Sequence, residues 1–220
     1  MVELATRAML GEKVRDMGYG INLYRKPDYF AVKVPVFSFE KLMDVDTHLG
    51  PEMKSTGEVL GIASSKDEAI FKGFVAAGTK MIRPKSKHSE GILFSVRQSD
   101  LPELPELAKK FTDLGFKLYA TSGNADTIER SGMQVERVAK VHENCNENVM
   151  TLLESKKVVY VVSTSAKGRD PVAESVKLRR LAVEHDIDCL TSIDTANALA
   201  DCLLSSFSVE NICLVDINNF

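Results

Sequence analysis

The sequence lacks the features that mark membrane and exported proteins. It holds no apolar run near the length of about 18 residues that a membrane-spanning helix needs, and it does not open on a charged segment followed by an apolar one. Low-complexity segments are also missing, and the 44% hydrophobic and 27% charged shares are those of an ordinary globular protein. We therefore expect a cytoplasmic chain with no membrane partner.

Cysteine is scarce and poorly spaced for metal binding. The four cysteines, Cys145, Cys189, Cys202 and Cys213, all lie in the second half of the chain. They form no C-x-x-C pair and no cysteine–histidine cluster with the spacing of metal ligands. We predict reduced, free thiols and no metal site in this chain.

An excess of basic residues is missing as well. The net charge is -3, and residues 91–220 hold 14 Lys and Arg against 19 Asp and Glu, whereas residues 1–90 hold 14 against 12. A surface of negative sign repels a polyphosphate backbone, and no local basic patch offsets it. Nucleic acid is therefore not an expected partner.

From residue 92 onward, short β-branched runs alternate with patterns of helical spacing, which is typical of a βα-repeating domain. The predicted strands cover 92–96, 116–120, 135–138, 158–162 and 187–190. The predicted helices cover 104–114, 124–131, 147–153, 171–184 and 195–204. The run VVYVV at 158–162 is nearly uniformly apolar, as a central parallel strand covered on both faces should be. The pattern predicts an α/β, doubly wound domain with a five-stranded, mostly parallel sheet.

Residues 1–81 read differently, with an alternating strand pattern at 30–39 and a helix at 65–77. These few elements cannot bury enough surface for an independent core. We therefore interpret residues 1–81 as part of a larger domain. The run RPKSKH at 83–88 has the charge and proline content of an interdomain linker. We place the domain boundaries at 1–81, a linker at 82–91, and 92–220.

Two segments carry a resemblance to a known family. The run LGPEMKSTGEVLG at 49–61 is highly specific to the large subunit of carbamoyl phosphate synthetase, and VELATRAMLGEK at 2–13 is similar to the stretch after that family's second metal-binding segment. All 220 residues follow the family's order. The resemblance implies that residues 1–81 are the tail of an ATP-grasp domain, and that 92–220 form an allosteric domain resembling methylglyoxal synthase.

The resemblance also implies a function. The complete enzyme of this family uses ATP, Mg²⁺ or Mn²⁺, bicarbonate and ammonia from a glutaminase small subunit to make carbamoyl phosphate for pyrimidines and arginine. The family's nucleotide-covering loop and metal-binding carboxylates have no match here, and phosphoryl transfer depends on such groups. We therefore expect this chain to bind no cofactor, to be inactive alone, and to act with the rest of the large subunit.

Polar residues at the predicted strand ends indicate a phosphate site. The run TSGN at 121–124 lies between a strand and a helix, where free N–H groups favour an anion, and Asn124 is of the type that caps a helix. The resemblance adds contacts to a nucleotide monophosphate, UMP or IMP, from other strand ends. The predicted effector-binding residues are Ser95, Thr121, Ser122, Gly123, Asn124, Lys140, Ser163, Thr164 and Ser165.

The chain departs from the family at four positions. A frequent Thr is Asn124 here, an Asn is Ser163, and a Lys after the first strand falls at Leu101. These changes leave the effector's identity and the sign of its action open. An acidic residue that helps to bind ornithine in some members falls at Val34, which disfavours activation by ornithine.

Two alternative functions remain. A methylglyoxal synthase acting on dihydroxyacetone phosphate needs a carboxylate base, but Asn146 stands where the related enzymes have Asp, and Glu147 is one position away. His142 is the other titratable candidate, although it lacks a nucleophile or second His nearby. The second alternative is a docking module that forms homo-oligomers without binding a ligand.

Overall fold

The computed structural model describes residues 1–20, 26–36, 57–140, 148–164 and 174–216. Its first sheet pairs β1 (Phe30–Val36) with β2 (Gly57–Ala63) in antiparallel fashion. The second sheet contains β3 (Gly91–Phe94), β4 (Lys117–Ala120), β5 (Glu136–Arg137), β6 (Val158–Val162) and β7 (Asp188–Leu190). The helices are α1 (Val2–Met9), α2 (Lys66–Ala76), α3 (Leu104–Asp113), α4 (Ser122–Arg130), α5 (Val149–Glu154), α6 (Glu174–Glu184) and α7 (Ile193–Leu204).

The predicted α/β fold class is confirmed. The five strands lie in the order β5-β4-β3-β6-β7, and each neighbouring pair is parallel. Strand β6 has the predicted bounds, whereas β5 is two residues long because it pairs with β4 only at Tyr119 and Ala120. Residues 37–39, 147 and 171–173, which fell in predicted elements, lie outside the described residues.

Helices cover both faces of the parallel sheet, as in a doubly wound domain. On one face, Phe94 and Tyr160 pack in a cluster with buried residues of α2, α3, α4 and α7. On the other face, Leu93 and Val161 pack with buried residues of α5 and α6. Strand β3 is buried along its whole length and β6 at all positions but Val159, in agreement with the apolar run at 158–162.

Helix α2 joins the antiparallel β1–β2 pair to the parallel sheet. It starts at an N-cap, Ser65, whose Oγ accepts a hydrogen bond from the Glu68 N–H at 3.3 Å. It crosses β2 closely, because a Cβ on Gly61 would lie only 2.7 Å from the backbone nitrogen of Gly73. Phe71 and Phe74 of α2 belong to the same core cluster as Phe94, so residues from both sides of the predicted linker share one core.

Residues 80–83, here called the connector, are held to the parallel sheet and to α7 by side-chain hydrogen bonds. The Tyr160 hydroxyl accepts a hydrogen bond from the Ile82 N–H at 2.8 Å, and Asp188 Oδ2 accepts one from the Lys80 N–H at 2.8 Å. Arg83 donates from Nε to the Leu203 carbonyl at the end of α7, also at 2.8 Å. These contacts run across the predicted boundary, and the division at 82–91 stays a prediction.

The segment after α7 is also fixed to α2. Glu68 and Lys72 form an ion pair of 3.0 Å on α2 with both side chains largely buried. Glu68 accepts the Cys213 N–H at 2.9 Å, and Lys72 donates to the Cys213 carbonyl at 2.5 Å. In the described part of the chain, no helix is long and apolar enough to span a membrane.

Candidate functional site

The predicted site residues converge at the carboxyl edge of the parallel sheet. The chain moves from β3 to β4 on one side and from β6 to β7 on the other, so the strand order reverses between β3 and β6. Ser95 follows β3, Thr121 follows β4, and Ser163 follows β6. Ligands of open α/β sheets bind in the crevice that such a reversal creates.

The first turn of α4 opens onto this edge. Thr121 is its N-cap but makes no side-chain capping hydrogen bond, and Ser122 and Gly123 are its first two helical residues. The first hydrogen bonds of the helix run from the Asn124 and Ala125 N–H groups to the Thr121 carbonyl, so the helix itself does not satisfy the N–H groups of Ser122 and Gly123. A Cβ added to Gly123 would meet nothing within 4 Å, which leaves room for close approach of a ligand to the backbone.

Asn124 does not act as the predicted helix cap. Its Oδ1 accepts a hydrogen bond from the Val96 N–H at 2.8 Å, and its Nδ2 donates to the Val96 carbonyl at 3.1 Å. Both groups of this buried amide therefore hold the backbone just after β3. The cap expectation was wrong because the side chain points across to another strand end instead of along its own helix.

Ser163 is a buried hydroxyl with no hydrogen-bond partner among the described residues. Ser163 is 0% exposed, and its hydroxyl has no partner in the described part of the chain. Its backbone N–H donates to the Leu190 carbonyl at 2.9 Å, which continues the hydrogen bonding between β6 and β7. An unsatisfied buried polar group of this kind costs about 1–3 kcal/mol. A ligand acceptor or donor at the carboxyl edge would remove that cost.

Thr164, the next residue, organises the loop after β3. Its Oγ1 accepts a hydrogen bond from the Arg97 N–H at 2.9 Å. It also bonds to Asp100, which accepts from Arg97 Nε at 2.8 Å and from Ser99 Oγ at 2.9 Å. Burial alone would raise the pKa of Asp100, but these hydrogen bonds outweigh it and hold that pKa below its ordinary value.

The sequence-based site did not include Arg97 and Asp100. Only the three-residue spacing of an Arg and an Asp after the first predicted strand signals them, and that spacing is common in loops. Their importance follows from the partner Thr164, which is 67 positions from Arg97.

Lys140 lies at the same edge by register. Ala120 pairs with Arg137, so Lys140 follows β5 as the TSGN run follows β4. It is half-buried and has an interaction partner. The structure therefore places Ser95, Thr121–Asn124, Lys140, Ser163 and Thr164 at one edge, and the remaining predicted residue, Ser165, lies outside the described residues, as do His142, Asn146 and Glu147.

A cleft of about 900 Å³ opens at the opposite edge of the sheet. It is lined by residues at the starts of β4 and β5, and Lys117 and Glu136 pair across it at 2.5 Å. This pairing raises the pKa of Lys117, since the hydrogen bond to Glu136 favours the charged ammonium. Volume alone does not make this cleft the functional site, because the Lys117 ammonium in it is already paired with Glu136.

The described thiols are free, and none belongs to a metal site. Cys189, Cys202 and Cys213 form no disulfide, and Cys145 lies outside the described residues. Burial raises the pKa values of Cys189 and Cys202 to about 12. Within the described ranges, no group of three or more His, Cys, Asp or Glu side chains could hold a metal ion.

Comparison with known proteins shows which protein families this chain is similar to. Residues 103–191 match the MGS-like domain. The carbamoyl phosphate synthase large chain of Clostridium botulinum (strain Langeland) is 39% identical over 219 residues, which is 100% of this chain and 20% of that protein. The chain is a homologue of part of the carbamoyl phosphate synthase large chain.

Further carbamoyl phosphate synthase large chains are similar to this chain to about the same extent. That of Lachnoclostridium phytofermentans is 42% identical over 217 residues, 99% of this chain and 20% of that protein. That of Clostridium beijerinckii is 40% identical over 207 residues, which is 94% of this chain and 19% of that protein. The chain thus spans about a fifth of the length of these carbamoyl phosphate synthase large chains and corresponds to a C-terminal part of them.

A solved structure shows a weaker likeness. The methylglyoxal synthase of Elizabethkingia anophelis is 19% identical, with a TM-score of 0.44, covering 56% of this chain and 82% of that one.

Proposed function

We propose that this chain is a regulatory part of a carbamoyl phosphate synthase large chain, and that it binds a phosphorylated effector, a nucleotide monophosphate such as UMP or IMP, at the carboxyl edge of its parallel sheet. The observation that carries the proposal is the buried hydroxyl of Ser163, which has no partner among the described residues. It lies at the edge where α4 begins.

Phosphate is the chemical group that best suits this edge. The first-turn N–H groups of Ser122 and Gly123 and the positive end of the α4 dipole favour an anion. The open space over Gly123 allows a phosphate oxygen to approach the backbone. Lys140 adds a cationic side chain at the adjoining strand end.

Binding here would regulate the complete enzyme without taking part in its chemistry. We propose that the rest of the large chain, with ATP and Mg²⁺ or Mn²⁺, makes carbamoyl phosphate from bicarbonate and ammonia released by a glutaminase small subunit, in the cytoplasm, for pyrimidine and arginine synthesis. An effector shifts such an enzyme between states by its difference in affinity for them, typically about 1–3 kcal/mol.

Helix α1 supports docking against the rest of the large chain. None of its residues is buried in the described structure, and Val2 and Met9 are 82% and 81% exposed. Neighbouring Leu10 adds to the apolar surface, and contiguous exposed apolar patches mark interaction sites. We propose that this surface contacts the remainder of the large chain.

Calorimetric titration of this chain with UMP and IMP tests the effector proposal. We expect saturable binding that is weakened in Ser163→Ala and Lys140→Ala and unchanged in Lys109→Ala, an exposed lysine on α3 away from the edge. Absence of binding by either nucleotide in the unmodified chain would contradict the proposal. Production of methylglyoxal from dihydroxyacetone phosphate, assayed in parallel, would favour the lyase alternative.

A further inference from the structure

Arg97 is held between the two elements that form the candidate site. Its N–H donates to Thr164 Oγ1 at 2.9 Å, which ties it to the end of β6. The preceding residue, Val96, is bonded through both backbone groups to Asn124 in the first turn of α4. The backbone at 96–97 is thus fixed from both sides of the crevice.

The Arg97 side chain is also oriented. Its Nε donates to Asp100 Oδ1 at 2.8 Å, and Asp100 is only 8% exposed. Hydrogen bonds from Thr164 and Ser99 further satisfy this carboxylate and keep it ionised near neutral pH. Since a guanidinium carries five N–H donors in a rigid plane, fixing Nε fixes the direction of the others.

We propose that Arg97 binds the phosphate of the effector, and that Asp100 and Thr164 are positioning residues that aim its guanidinium. The inference rests on the proposed function and names a ligand group that the sequence-based site omitted. A planar guanidinium matches the oxygens of a phosphate in a way that an ammonium does not. The Arg97 side chain is 43% exposed, so a ligand can reach it.

A simpler interpretation is that Arg97 and Asp100 only brace the loop after β3. In that case the ion pair, with side chains 43% and 11% exposed, would shape the whole crevice without contacting the ligand. Such a role predicts an equal effect on every ligand of the site. A phosphate contact predicts an effect confined to ligands that carry phosphate, so a pair of ligands separates the two roles.

The test is a titration of this chain with UMP and with uridine, which lacks the phosphate, followed by NMR so that weak binding is measured. The variants are Arg97→Gln, Arg97→Lys and Asp100→Asn, with Arg130→Gln at the far end of α4 as control. We expect Arg97→Gln to weaken UMP binding by about tenfold to a hundredfold and to leave uridine binding unchanged, because one charge-assisted contact is lost. The affinity of Arg97→Lys for UMP should lie between that of Arg97→Gln and that of the unmodified chain.

Asp100→Asn should weaken UMP binding less than Arg97→Gln, because the cation remains but is aimed less well. Equal losses for both ligands, or no loss for either, would overturn the inference while leaving the proposed function standing. If the unmodified chain binds neither UMP nor IMP, the proposed function fails and the inference fails with it. Thermal unfolding of each variant identifies any that does not fold, and the conservative Arg97→Lys then decides the outcome.

Discussion

The hydroxyl of Tyr160 accepts a hydrogen bond from the Ile82 N–H at 2.8 Å and also bonds to the carbonyl of Lys80. Tyr160 lies on β6, three residues before Ser163, and its ring packs in the core against Phe111 and Phe116. Burial raises the pKa of the hydroxyl, so it stays protonated and can serve as both donor and acceptor. Strand β6, which ends at the candidate site, therefore also binds the connector, the segment that follows α2.

Replacing this hydroxyl tests how much the connector depends on it. Tyr160→Phe should lower the free energy of unfolding by about 1–3 kcal/mol, because the Ile82 N–H loses its partner while the ring packing remains. Urea denaturation measures the change. The control is Tyr119→Phe on β4, a buried tyrosine whose hydroxyl bonds to the partly exposed Lys117 ammonium instead of to buried backbone groups, so its loss should cost less. Equal effects in the two variants would contradict this role for Tyr160.

Asp188 should make stability depend on pH. Burial raises the pKa of Asp188 despite the hydrogen bond from the Lys80 N–H. A raised pKa in the folded state stabilises the fold below the ordinary pKa of an aspartate, and that stabilisation is lost as pH rises through the raised value. Asp188→Asn keeps an acceptor for Lys80, so its stability relative to the unmodified chain should increase as pH rises through this window.

Asp100→Asn should change stability with pH in the direction opposite to that of Asp188→Asn. Because the pKa of Asp100 is lowered, its carboxylate stabilises the fold above its ordinary pKa, and this is lost as pH falls through the lowered value. Its variant should therefore be least stable, relative to the unmodified chain, near neutral pH. Urea denaturation from about pH 2 to about pH 8 follows both variants, because the loss expected for Asp100 lies below the ordinary pKa of an aspartate. Parallel trends for the two variants would be inconsistent with these pKa shifts.

Gly61 should tolerate no side chain. A Cβ there would collide with the Ala69 carbonyl and lie 2.7 Å from the Gly73 nitrogen, both backbone atoms of α2. Gly61→Ala should therefore cost about 1–3 kcal/mol of stability through overpacking. Gly57→Ala on the same strand is the control, because its Cβ would meet nothing within 4 Å. A similar cost at both positions would argue against the close helix–strand crossing.

Arg83 should anchor the end of α7. Besides the Leu203 carbonyl, it donates to the carbonyls of Ser205 and Phe207, both at 3.1 Å. Arg83→Ala should lower the free energy of unfolding by about 2 kcal/mol and speed hydrogen exchange in residues 205–213, since a charged donor to several carbonyls is removed. The exposed neighbour Lys85→Ala should do neither, and unchanged exchange in Arg83→Ala would exclude the anchoring role.

Local patterns were enough for the helices and strands of the parallel-sheet domain and for the edge at which the candidate site lies. The apolar run at 158–162 identified β6 because a strand covered on both faces admits few polar residues. Ser95, Thr121 and Ser163 share an edge because they each follow a strand, and parallel strands end together. Neither conclusion needs knowledge of any long-range contact.

The hydrogen-bond partners of the candidate site residues could not be predicted from the sequence. Asn124 has the residue type of a helix cap, yet its amide bonds to Val96, 28 positions earlier. Thr164 has the residue type of a turn hydroxyl, yet it holds Arg97. A side chain's choice between local and distant partners depends on which backbone groups the packed strands bring within about 3 Å, and no local pattern contains that information.

The sequence by itself determined that this chain is a parallel α/β protein whose polar residues collect at strand ends, because hydrophobic period and turn chemistry are local properties. Only the tertiary structure decided that α2 shares the core of the parallel sheet, that Tyr160 and Asp188 fasten the connector, and that Ser163 is left without a partner while Arg97 is aimed by Asp100. Those outcomes depend on distances between segments far apart in the chain, which are set when the helices pack on both faces of the sheet.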